Sequence, residues 1–216
     1  MQDAMAGRGT FTATQVSDGV YRFDYKDAHA DNFTVMGRTL DEQEWKRAWL
    51  RREMRGLVMR NTGEVVVRGL HKFFNIGQLK ETKLHTLSKL QVVEVLEKLD
   101  GQMIVGVAVG DRVQYWSQKG NTAVGVTARR LAQQEVGDYD GLVMAVCNVG
   151  ATAVFEMVGC QSRIKSDEGM QPRLVLTAVR QHADGKYWEH SELLEVGERH
   201  GIEVVHRLKA LELIGL

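Results

Sequence analysis

The chain has 216 residues and carries 28 Lys and Arg against 28 Asp and Glu, so its formal net charge is zero. Hydrophobic residues make up 44% and charged residues 26%, a balance that excludes a disordered chain and is ample for a buried core. No run of about 18 apolar residues is present, so no membrane partner is expected, and overall neutrality argues against a bulk polyanion binder. The opening residues lack an apolar segment, so no secretory signal is expected. Cys147 and Cys160 cannot make a disulfide framework, which points to a reducing compartment, the cytoplasm.

In chain order, turn residues separate short apolar runs. Residues 10–16 and 20–25 flank Ser17-Asp18-Gly19, and 57–60 and 64–69 flank Asn61-Thr62-Gly63. Residues 103–109 and 112–117 flank Gly110-Asp111, 142–148 and 152–158 flank Val149-Gly150-Ala151, and 174–180 and 186–188 flank Ala183-Asp184-Gly185. Each pair is expected to be a hairpin, its glycine supplying the positive φ that a tight turn needs. Helices are expected at 44–54, with Thr39 as N-cap and Glu42 as its capping-box partner, at 122–134 and at 191–199, with a short strand over 202–206. The fold class is therefore α+β, mostly antiparallel sheets with flanking helices, in one domain over residues 1–216.

Charge is unevenly spread. Residues 51–89 hold nine Lys and Arg against three acids, net +6, whereas residues 1–50 hold six basic and eight acidic groups. This block reads either as a solvated face or as an anion-facing surface.

The run Val92-Val93-Glu94-Val95-Leu96 reads as a strand leading into Glu97-Lys98-Leu99-Asp100-Gly101. A Lys at the end of an apolar strand is a candidate nucleophile, because burial disfavours its charged form. Asp100 shares its strand face and is a candidate metal ligand, and Gly101 leaves room for a ligand beside the backbone. Lys-x-Asp-Gly alone is weak: it arises by chance in roughly one chain in twenty of this size. Glu156 stands out on an otherwise apolar run, where an unpaired carboxylate is costly and a metal or cation partner is expected. The seven His show no zinc-ligand spacing.

The ordered series is more specific. Arg55-Gly56-Leu57-Val58 is followed by Arg68-Gly69-Leu70-His71-Lys72-Phe73-Phe74-Asn75. Then come Lys98-Leu99-Asp100-Gly101, Trp116-Ser117-Gln118-Lys119-Gly120, Val154-Phe155-Glu156-Met157 and Ser162-Arg163-Ile164. Over roughly residues 51–180 this resembles the adenylyltransferase domain of ATP-dependent RNA ligases, with the phage RNA ligase 1 family and the ligase domain of fungal tRNA ligases as nearest kin. Lys-Phe-Phe-Asn favours RNA ligases over DNA ligases and capping enzymes.

The resemblance implies a nucleotidyltransferase fold and a three-step reaction. Lys98 attacks the α-phosphorus of ATP to form a lysyl-AMP; AMP passes to an RNA 5′-phosphate; an RNA 3′-hydroxyl displaces it. It places Arg55, Lys72 and Lys119 around the ATP phosphates, Glu97 and Gly101 at the nucleotide, and Asp100 and Glu156 at Mg²⁺ or Mn²⁺. Phe73 and Phe74 read as core rather than base-stacking groups. Residues 174–180 carry no adenine-stacking aromatic, which leaves an aliphatic such as Val175 or Val179.

Two family motifs, an acidic Glu-Gly strand and a Lys-x-Lys pair, have no counterpart after His206. The expectation is a domain that is C-terminally incomplete and joined by a further segment or subunit. Residues 211–216 form an apolar tail that would seek a partner. The competing reading is a degenerate module that binds ATP or RNA without joining ends.

Overall fold

The computed structural model describes residues 9–34, 42–159 and 171–208. Thr39, Cys160, the Ser-Arg-Ile block at 162–164 and the tail at 209–216 lie outside the described residues. The chain divides into two compact units, one of Met1–Val66 and Leu70–Val93, the other of Val67–Gly69 and Glu94–Leu216.

In the first unit, β1 (Phe11–Ser17), β2 (Val20–Tyr25), β3 (Leu57–Arg60) and β4 (Val65–Val67) lie in that order in one sheet. Gly19 and Gly63 take positive φ at the two expected hairpin turns. Helix α1 (Glu42–Glu53) crosses from β2 to β3 and buries Ala48 and Arg52. Phe23, Met54 and Leu57 form a small core with Phe11 and Tyr21 against them. Phe33 is fully buried and receives Phe11 and Tyr25 edge-on, with ring centroids 5.8 and 5.3 Å away. A single-turn helix α2 (Leu84–Leu87) follows.

The strand expected over 92–96 does not form. Val92 and Val93 are 71% and 83% exposed, and Leu96 makes only an isolated bridge to Arg207. β-branched residues favour a pleated, half-buried surface; without a strand along its whole length the run forms none, and only its end is tied, at Val95 and Leu96.

The second unit is built on an antiparallel sheet in the order β6-β5-β7-β8, with β5 (Gly101–Val109), β6 (Arg112–Ser117), β7 (Ala151–Val158) and β8 (Arg173–Gln181). One face carries Ile104, Tyr115, Ala153, Phe155, Met157, Leu174, Leu176 and Val179, which join the core with residues of α3 (Ala123–Gln134), α4 (Tyr139–Asn148) and α5 (His190–His200). Strand alternation turns Met103, Val154, Glu156, Val158 and Val175 to the other face. Gly106 lets α4 approach β5: a Cβ there would lie 2.9 Å from Val143 Cγ1 and closer still to Cγ2. The segments expected as strands at 186–188 and 202–206 make only isolated bridges, Arg180–Tyr187 and Leu176–Val204.

Residues 142–148, expected as a strand, are helical. Tyr139, Leu142, Val143 and Val146 are all buried, at spacings that place them on one helical face. Asp138 starts the helix by accepting from the Gly141 N–H at 2.9 Å. The short apolar run fitted either period, and the cap decides it. Asp138→Ala is expected to cost about 1 kcal/mol, lowering the melting temperature by about 2–4 °C, while Asp138→Asn restores most of it. Thermal unfolding of the two variants checks this. Among the described residues no helix is long and apolar enough to cross a membrane.

Candidate functional site

In the second unit the candidate residues gather at one end of the sheet. β5 begins at Gly101, paired with Val158 at the end of β7, and β6 ends at Ser117, paired with Ile104. The segment before Gly101 is pinned by the chain after Val205. Glu97 N–H donates to His206 O at 2.9 Å and Leu208 N–H to Val95 O at 2.9 Å. Leu96 and Leu99 pack on Val158, Val175 and Val205. Between these two anchors Glu97 and Lys98 are exposed. The burial expected to act on the Lys98 amine is therefore absent, because 92–96 is not a buried strand. The side chain is instead presented to solvent from a fixed backbone.

Glu156 is the one residue of β7 that is not buried. It pairs across the sheet with Met103 and Val175. Gly101 stands beside it: a Cβ on Gly101 would lie 3.2 Å from Glu156 Cγ, 2.9 Å from the Met157 carbonyl carbon and closer still to its oxygen. The space a side chain would need is filled by the Met157 carbonyl, so the room for a ligand expected at Gly101 is absent and glycine is instead required for the close backbone approach beside Glu156; half-buried Asp100 is one residue away. Lys119 is exposed on the turn after β6; its N–H donates to Ser117 Oγ at 3.2 Å, and that hydroxyl also meets Thr122 Oγ1 at 3.0 Å. Among the described residues no group of three or more His, Cys, Asp or Glu is placed to hold a metal. Asp100 and Glu156 could supply only part of an oxygen-ligand shell.

In the first unit, Arg55 follows α1, and Gly56 behind it is tied to β2 by Gly56 N–H donating to Phe23 O at 3.0 Å. Lys72 is fixed by its own N–H donating to Arg52 O at 2.8 Å. Its ammonium sits 5.2 Å over the Phe74 ring, and the Arg55 guanidinium 5.3 Å over Phe73. Burial, and then the like charge of Arg55, push the Lys72 amine below its ordinary value. Neither cation pairs with a described carboxylate, and Arg55 Nε is buried with no hydrogen-bond partner. Two uncompensated cations and an orphaned N–H suit an anion with several oxygens.

A lysine held below its ordinary value binds its proton less tightly in the folded chain than in the unfolded one. The penalty is fully present at neutral pH and is relieved as pH rises toward 10.5. Lys72→Met should therefore equal or slightly exceed the parent in stability at pH 7, and any advantage should shrink by pH 10. Paired urea titrations at the two pH values check the sign.

The structure brings Lys98, Asp100, Gly101, Glu156 and Lys119 to one sheet end, and Arg55 and Lys72 together in the other unit. Phe74 lies against Phe33 with centroids 5.9 Å apart, as a core residue would; Phe73 is 46% exposed, against the core expectation. Val179 packs under the helices, which removes it as an adenine platform, whereas Val175 shares the Glu156 face, though it is buried. Arg52 was not singled out by sequence. It is 5% exposed, pairs with Glu81 at 2.6 Å, donates to Phe33 O at 3.1 Å and lies over Trp49 and Phe74. Its signal was the run of basic residues at the end of α1. A cleft of about 440 Å³ lies elsewhere, lined by Arg112, Gln114, Tyr115, Gly125, Arg129 and Asp140 among others. It contains none of the candidate site residues.

A family model described as RNA ligase matches residues 53–213. A curated protein of Thermovibrio ammonificans, provisionally named an RNA ligase, is 32% identical over 155 residues, 68% of this chain and 40% of that protein. An archaeal ATP-dependent RNA ligase superposes on 96% of this chain and 49% of its own, with a TM-score of 0.58 at 14% identity. An Aquifex aeolicus protein provisionally named an ATP-dependent DNA ligase covers the same shares, with a TM-score of 0.57 at 14% identity. The fold is thus the nucleotidyltransferase fold of ATP-dependent ligases. Within that class, the chain belongs to the RNA ligase family. It spans 40% of the length of the curated relative it matches.

Proposed function

We propose that this chain is the nucleotidyltransferase part of an RNA ligase that takes ATP, transfers AMP to Lys98, and joins RNA 5′-phosphate to 3′-hydroxyl ends. The observation that carries the reading is the exposed Lys98, held between the half-buried Leu96 and Leu99 at the sheet end where Gly101 packs closely beside Glu156.

In the first step the neutral Lys98 amine forms a bond to the α-phosphorus as the bond to pyrophosphate breaks, and the amine gives up a proton. Negative charge grows on the departing pyrophosphate, where fixed cations lower the barrier most. Arg55, Lys72 and Lys119 serve there, Lys72 and Arg55 with no acid to compete. Glu97 and Gly101 offer backbone to the nucleotide. Asp100 and Glu156 would hold Mg²⁺ or Mn²⁺, whose ligand shell phosphate oxygens and water complete, and the ion would neutralise phosphate charge. The RNA 5′-phosphate then displaces Lys98 from the AMP, and the 3′-hydroxyl displaces AMP.

The reading includes a further segment or subunit that carries the Glu-Gly strand and the Lys-x-Lys pair, which have no counterpart here after His206. Label transfer from ATP tests the function. Label on the α-phosphate should appear on protein in the presence of that segment, and label on the γ-phosphate should not. Retained ATP binding with no transfer under either condition favours a binding module instead.

A further inference from the structure

We propose that Trp45 and Trp49 on α1 form a stacking platform for single-stranded RNA, separate from the residues assigned to nucleotide transfer. From the ligase reading the proposal takes only that RNA is a substrate. The two indoles are one helical turn apart and are 44% and 55% exposed. Large exposed aromatics on a helix are normally removed to a core or covered by a partner. Here one of them is held in place from beneath. The Arg52 guanidinium lies 4.6 Å from the Trp49 ring centroid and 5.2 Å from that of Phe74. It is immobilised by Glu81 at 2.6 Å and Phe33 O at 3.1 Å. Trp49 thus has one face on a buried cation, while more than half of its surface remains open.

The positive charge of this unit favours a polyanion over an apolar protein surface. Over the described residues of this unit, 9–34, 42–66 and 70–93, twelve Lys and Arg stand against nine acids, net +3. Lys80 and Lys83 flank Glu81, the partner of Arg52, and both are exposed without a described ion-pair partner. Aromatic faces stacked on bases, with lysines along the backbone, are the general device for single strands. A helical turn separates the two side chains by roughly 5–6 Å, wider than the ~3.4 Å rise of a stacked strand. The platform therefore suits an extended strand with splayed bases rather than a duplex.

Equilibrium binding of a labelled oligoribonucleotide to the whole chain, read also by quenching of tryptophan fluorescence, tests this. Each base stack is worth about 1–3 kcal/mol, so Trp45→Ala and Trp49→Ala should each weaken single-strand binding about tenfold. Trp49→Phe should keep most of the affinity, and Trp49→Leu, which is apolar but cannot stack, should lose it. The parent should prefer single strands to duplex. Label transfer from ATP, measured with the segment that carries the Lys-x-Lys pair, should be unchanged in all four variants, which separates this proposal from the ligase reading. Trp45 makes no ring contact among the described residues, so its variant stays informative if Trp49→Ala loosens Arg52. Three results would overturn the proposal: RNA affinity within twofold of the parent in Trp45→Ala/Trp49→Ala, equal affinity for duplex, or loss of self-association without change in RNA binding.

Discussion

Lys98→Ala should abolish AMP transfer to the protein while leaving its folding intact. The side chain is exposed and the backbone around it is held by Leu96, Leu99 and the Glu97 N–H bond to His206 O. Removing it should change stability by less than about 0.5 kcal/mol. Transfer, measured with the added segment, should fall by roughly 10⁴-fold or more, as when other covalent nucleophiles are removed. Lys98→Arg should be equally inactive, because a guanidinium keeps its proton and cannot attack phosphorus. Nucleotide binding should weaken only severalfold in both, since Arg55 and Lys72 remain. Urea unfolding, nucleotide binding and label transfer on one preparation separate these effects. Loss of binding in parallel with transfer would count against Lys98 as the nucleophile.

Gly101→Ala should be strongly damaging. Its Cβ would lie 2.9 Å from the Met157 carbonyl carbon and closer to the oxygen, and a paired strand backbone cannot step aside. The cost is expected to be about 3 kcal/mol. The shift would pass directly to Asp100 and Lys98, so transfer per folded molecule should also fall at least tenfold. Gly106→Ala is the control. It meets Val143 side-chain atoms as closely, and should destabilise the fold without lowering transfer per folded molecule. Melting curves with transfer assays below the transition distinguish the two.

The sequence showed some of this structure more clearly than the rest. Hairpins with a glycine at a required positive φ, such as Gly19 and Gly110, were legible because the turn chemistry is local. So were α3 and α5, which form within one residue of the bounds expected for them. The helix Tyr139–Asn148 was not, because seven mostly apolar residues satisfy either period until Asp138 caps one of them. The run 92–96 misled in the opposite direction. Its composition is that of a strand, but strands exist only in pairs, and pairing is a property of the fold.

The candidate site was read as an ordered set of residue types, and the structure brings five of them, Lys98, Asp100, Gly101, Lys119 and Glu156, to one sheet end. What the sequence could not show was environment. Lys98 was expected to be buried and is exposed. Lys72 was expected only as a cation and is held below its ordinary value by burial and by Arg55. The stack of Trp49, Arg52, Phe74 and Lys72 joins residues from two separate segments, 49–52 and 72–74, and no local pattern announces it.

The most direct test of the central claim is the intact mass of the chain after incubation with ATP and Mg²⁺ or Mn²⁺, alone and with a polypeptide carrying the Glu-Gly strand and Lys-x-Lys pair, followed by peptide mapping. The account predicts little or no adduct alone and one AMP per chain with the added polypeptide, located on the peptide containing Lys98 and absent from Lys98→Ala. An adduct on another residue, or none under either condition while ATP still binds, would contradict it.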